Sequence, residues 1–113
     1  MSVKNNLLSI KEGINSNVCL VAVSKTKPKK LILEAYESGH TVFGENKVQE
    51  LVDKYEALPK DIKWHMIGHL QTNKVKYIAP FINLIHSIDS IKLIKEINKK
   101  AKNNDRVIDC LIQ

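Results

Sequence analysis

Short apolar runs alternate along this chain with segments whose apolar residues recur at helical spacing, and this alternation restricts the fold more than any single residue does. Val18 to Ser24 is a continuous apolar run of the kind buried on both faces of a parallel sheet. Ahead of it, Ser9 to Ser16 closes an N-terminal helix. Pro28 suits the first turn of the next helix, on which Leu31, Ile32, Ala35 and Tyr36 repeat at helical spacing before Gly39 stops it. His40 to Gly44 reads as a second strand. Asn46 to Leu58 reads as a helix with Val48, Leu51, Val52 and Tyr55 on one face, ended by Pro59.

The pattern then repeats. Ile62 to Gly68 is a third strand, Thr72 to Ala79 a shorter helix, and Asn83 to Ile88 a fourth strand. Asp89 or Ser90 can cap a helix whose face carries Ile91, Leu93, Ile94 and Ile97, and Val107 to Ile112 forms the last strand. Such alternation predicts an α/β fold with a parallel sheet and crossover helices. Two architectures satisfy it: an open doubly wound sheet of flavodoxin type, or the first half of a (βα)8 barrel, which needs about 250 residues to close. The chain stops directly after its last strand, at Asp109-Cys-Leu-Ile-Gln113. That favours the second architecture and a fragment: one domain over residues 1–113, made of four βα units and a fifth strand.

Composition excludes several classes. The net charge of +6 is carried by lysines spread over the whole chain, Arg106 is the only arginine, and aromatics make up 5%. Nucleic-acid sites cluster such residues and interleave aromatics, so no nucleic-acid partner is expected. No apolar stretch approaches the roughly 20 residues of a membrane span. The N-terminus lacks the apolar core of a secretory signal, and a cytoplasmic location is expected. Cys19 and Cys110 sit inside apolar runs without disulfide or metal spacing, and both are expected in the core.

Polar and small residues recur at the end of each predicted strand: Ser24-Lys-Thr-Lys27, Gly44-Glu-Asn46, Gly68-His69 and His86-Ser-Ile-Asp89. Active sites of parallel α/β folds form at this edge, so four such groups in succession point to a ligand pocket. Lys25 is the chemically sharpest member. If it lies at the end of a buried strand, desolvation and its basic neighbour favour the neutral amine that condenses with carbonyls. A solvated strand-end lysine is the alternative. Were Lys25 to face a barrel interior, Val21 and Val23 would share its side, with Leu20, Ala22 and Ser24 towards the helices. His65 and His69 have the i, i+4 spacing of zinc ligands on a helix, but the strand context and Gly68 argue against a metal. Hydrogen bonding at the pocket suits them better, and a structural role suits His40. Glu45 and Asp89 are equally plausible as acids, bases or caps.

Ala22-Val-Ser-Lys-Thr-Lys-Pro28, Phe43-Gly-Glu-Asn-Lys-Val-Gln-Glu50, Trp64-His-Met-Ile-Gly-His-Leu-Gln-Thr-Asn-Lys74 and His86-Ser-Ile-Asp-Ser90 together resemble the YggS/PROSC-type pyridoxal phosphate homeostasis proteins. The resemblance implies the fold of the alanine racemase N-terminal barrel, with pyridoxal 5'-phosphate held as a Schiff base on Lys25. It further implies that Asn46, His65, Gly68, His69 and Ser87 lie around the cofactor. The family binds, stores or hands over the cofactor and balances vitamin B6 and amino-acid pools, and it lacks the second domain of racemases. Its phosphate cup comes from loops late in the barrel. The partners expected are therefore pyridoxal phosphate itself and either a missing C-terminal half or a second copy of the chain.

Overall fold

A computed structural model describes residues 3–15 and 17–113. Its order is α1 (Val3–Glu12), β1 (Ala22–Val23), α2 (Lys29–Glu37), β2 (Val42–Glu45), α3 (Val48–Ala57), β3 (Lys63–Met66), a 3-10 turn (Thr72–Lys74) continuing into α4 (Val75–Ile78), β4 (Leu84–Ile88), α5 (Ile91–Asn103) and β5 (Asp109–Ile112). The first helix thus ends at Glu12, inside the expected closing span, and Ser16 lies outside the described residues.

All four strand pairings are parallel, and the sheet order is β1-β2-β3-β4-β5. A flavodoxin-type sheet reverses direction after its first strand. This one never does, so the barrel-type alternative holds, and a sheet wound steadily in one direction keeps its crossover helices on one side. Alternation shows which side that is: Phe43, Glu45, Trp64, Met66 and Ile85 are buried under the helices with Leu51, Val75, Ile78, Leu93 and Ile97. The other face carries Val23, Val42, His65, Leu84 and His86, and it has no layer of its own among the described residues.

Local chemistry accounts for the element ends. Pro28 is the residue before α2 rather than inside it, and Gly39, at φ +100°, takes the left-handed position that ends the helix. Ser90 caps α5, its side-chain oxygen accepting the Leu93 N–H at 3.1 Å. Arg106 donates from both terminal nitrogens to the carbonyls of Ala79 (2.6 Å) and Ile82 (2.9 Å), pinning the turn before β5 onto the end of α4.

Several expectations are corrected. The run from Val18 forms a two-residue strand whose Val23 is exposed, because β1 is an edge with one neighbour and an uncovered face. Cys19 and Cys110 are both exposed: the former precedes β1, and the latter lies on β5, where no helix packs. On α5 the buried stripe is Leu93, Ile97 and Ala101, while Ile91 and Ile94 face outward. No helix among the described residues is long and apolar enough to cross a membrane.

Candidate functional site

Lys25 follows β1 at the C-terminal edge of the sheet and occupies the second position of a turn closed by Lys27 N–H donating to the Ser24 carbonyl at 3.1 Å. Its side chain is exposed. Of the two environments open to this amine, the structure shows the solvated one among the described residues, because the strand end lies on the uncovered face. Thr26, third in the turn, has φ 62°, a left-handed conformation that usually calls for glycine.

Beneath this turn lies a buried charged cluster. Lys54, projecting from α3 and only 4% exposed, donates to the Ser24 carbonyl at 2.7 Å, to Glu45 at 2.9 Å and to Glu50 at 3.2 Å. The Ser24 hydroxyl donates to Glu45, and the Thr26 N–H donates to Glu50 at 2.7 Å. Burial pushes the Glu45 carboxyl up, against the opposing pull of Ser24 and Lys54. The Thr26 N–H, helped by Lys54, holds Glu50 below the usual carboxylate range. The second Glu45 oxygen, Oε1, has no partner among the described residues.

The remaining expected residues fall into two groups. Asn46, just past β2, and Gly68, just past β3, touch so closely that a Cβ on Gly68 would overlap the Asn46 side-chain oxygen and lie 2.5 Å from its carbonyl. Only glycine lets the two strand ends approach. Asn46 and the exposed His69 line a cleft of about 430 Å³ with Lys47, Gln71, Lys74 and Tyr77. The cleft does not include Lys25, His65 or Ser87.

His65 lies on the uncovered face of β3, its Nδ1 3.2 Å from Nε2 of His86 on β4. Burial, with His86 beside it, lowers the pKa of His65. Ser87 has φ 56° and sits where the β4–β5 pairing slips between Ile85 and Ile88, an irregularity that re-aims a strand-end side chain. His69 pairs with Asp89 at 3.7 Å in solvent, and no metal-binding group of three ligands occurs among the described residues. His40 is buried and structural, its Nε2 2.6 Å from the Val42 carbonyl and its ring edge-on to Phe43.

The sequence reading missed Lys54 and Glu50 as site residues, and it placed His86 among the polar strand ends without giving it a role of its own. A signal existed for Lys54: it lies three residues after Leu51, on the buried side of α3, where a lysine needs a partner.

A parallel sheet in chain order with helices on one side defines half of an α/β barrel, and Lys25 is one of several exposed amines near its C-terminal edge. The chain belongs to the family of alanine racemase N-terminal domains, whose model matches residues 1–113. It is 52% identical to the pyridoxal phosphate homeostasis protein of Aquifex aeolicus, over 83% of this chain and 42% of the relative. Identity to the protein of the same name from Haemophilus influenzae is 38%, over the whole chain and 53% of the relative. In structure it is similar to PipY of Synechococcus elongatus, solved without pyridoxal phosphate (TM-score 0.91, 35% identity) and with it bound (TM-score 0.89, 36% identity). Both matches cover 96% of this chain and 52% of PipY. The chain thus spans about half the length of the relatives it matches.

Proposed function

We propose that this chain is the lysine-bearing half of a pyridoxal 5'-phosphate-binding protein that serves vitamin B6 and amino-acid homeostasis, with Lys25 as the covalent anchor. The observation that carries the reading is the presentation of Lys25: an exposed amine on a left-handed, internally braced turn at the edge where parallel α/β folds bind ligands. Relatives named pyridoxal phosphate homeostasis proteins, and PipY with the cofactor bound, support it.

The donor set suits such a group. When bound, pyridoxal phosphate supplies an aldehyde that condenses with an amine and a ring that acts as an electron sink. Lys25 would hold the group covalently through its side-chain amine, a condensation that would release one water. Asn46 and Gly68, packed against each other, offer an amide beside open backbone. His65 offers a ring nitrogen on the uncovered face, His69 one at the rim, and Ser87 a hydroxyl on a re-aimed strand end. Relatives twice as long favour a second half of the barrel as the source of the remaining contacts. We read the protein as a carrier or regulator of the cofactor, without robust turnover.

The test is direct. Incubate the chain with pyridoxal phosphate, reduce with borohydride and map the adduct by peptide mass spectrometry. Lys25 is expected to carry the dominant label, and Lys25→Ala to remove it. Even labelling across the surface lysines, unchanged in Lys25→Ala, would sink the reading.

A further inference from the structure

We propose that Lys54 is a positioning residue for Lys25: together with Glu45 and Glu50 it locks the strained turn that presents the Lys25 amine. The proposal rests on Lys25 being the anchor, and it begins from an ammonium that has no evident structural need to be there. The three N–H groups of Lys54 meet three acceptors, the Ser24 carbonyl, Glu45 and Glu50, so the group is fully satisfied. Yet stability alone gives little reason for it, since a buried ion pair is often replaced by apolar residues without loss.

What the cluster does is grip the backbone on both sides of Lys25. Residue 24 is held through its carbonyl by Lys54, through its hydroxyl by Glu45, and through its N–H by the Gly44 carbonyl at 3.0 Å. Residue 26 is held through its N–H by Glu50, which Lys54 itself tethers across one helical turn. Thr26 keeps a left-handed φ that a threonine adopts only when its surroundings over-determine it. Between these two fixed residues, the Lys25 side chain makes no hydrogen bond or ion pair among the described residues. A clamped backbone with a free side chain is the arrangement of a group held out for a partner. Fixing where the amine points matters, because a misplacement of about 1 Å can cost roughly a hundredfold in rate.

Two readouts test this on the 113-residue chain. The first needs no cofactor: amide hydrogen exchange in Lys54→Met should lose protection at Thr26 and Lys27 while the amides of β2 and β3 stay protected. The second uses pyridoxal phosphate and borohydride, scoring label on Lys25 against label on exposed Lys99 in the same sample. The ratio should fall about tenfold in Lys54→Met. It should partly recover when Thr26→Gly is added, since glycine takes the positive φ without strain. Unchanged exchange at Thr26 in Lys54→Met overturns the proposal, and so does an unchanged labelling ratio. If Lys54→Met fails to fold, Glu50→Ala, which removes the Thr26 acceptor and one of the three Lys54 partners while leaving Lys54 its Glu45 and Ser24 contacts, is judged by the same criteria. Failure of Lys25 to label selectively in the wild-type protein would instead sink the anchor reading, and the exchange arm would still decide whether the clamp exists.

Discussion

His40 and His65 share a feature that sets how the fold responds to acid. Burial disfavours the protonated ring in both, with Lys11 adding to it at His40 and His86 at His65. Each folded pKa lies below the unfolded value of about 6.5, so the unfolded chain binds more protons as pH drops. Their contribution to stability is fully present above about pH 6.5 and is lost as pH falls through the folded values. Glu45 acts in the opposite sense: its raised pKa gives stability that is lost as pH rises through the folded value. The clean measurement is therefore a difference. Thermal melts of wild type and His65→Asn between pH 7.5 and 5.5 should show a shallower fall for the variant, and parallel slopes would contradict the assignment. At this scale, Lys25 was legible because its chemistry is local to a short motif. Its exposure was left open between buried and solvated readings, because burial of a strand end depends on what covers the sheet. Lys54 was hidden for a related reason: Glu50 lies one turn away on the same helix, but the Ser24 carbonyl and Glu45 belong to other segments that only the fold brings to it.

Arg106 shows what a single side chain does for an element. Its guanidinium reaches two carbonyls at once, a forked geometry that an ammonium cannot copy. Arg106→Lys should lower stability by about 1–2 kcal/mol, measured by urea denaturation, with the loss of order concentrated in β5. A variant as stable as wild type would show that β5 is held by strand pairing alone. The elements themselves were readable in kind and order, because the helical and extended periods differ sharply along this chain. Their ends and faces were less so. On α5 the apolar residues spread more widely than the buried stripe of Leu93, Ile97 and Ala101, so composition alone overstated the packed face. At β1 the apolar run was longer than the ladder available to it, since an edge strand pairs on one side only.

For the molecule as a whole, the sheet order is decisive. Alternation of strands and helices was compatible with two architectures, and no periodicity separates them, because order is a relation between distant segments. Among the described residues, the same order leaves one face of the sheet bare, with Val23 53% and Leu111 50% exposed, and both edge strands open. The 113-residue chain should therefore self-associate as its concentration rises, and Leu111→Glu should weaken this in sedimentation velocity runs. A single sharp monomer boundary at every concentration would contradict it. Sequential pairing also has a temporal meaning. Among the described strands, pairing runs only between neighbours in chain order, so each strand finds its partner in the segment made just before or just after it. The turn bearing Lys25 and every residue that braces it lie between Ser24 and Lys54. The amine's mounting can thus assemble before the C-terminal strands emerge.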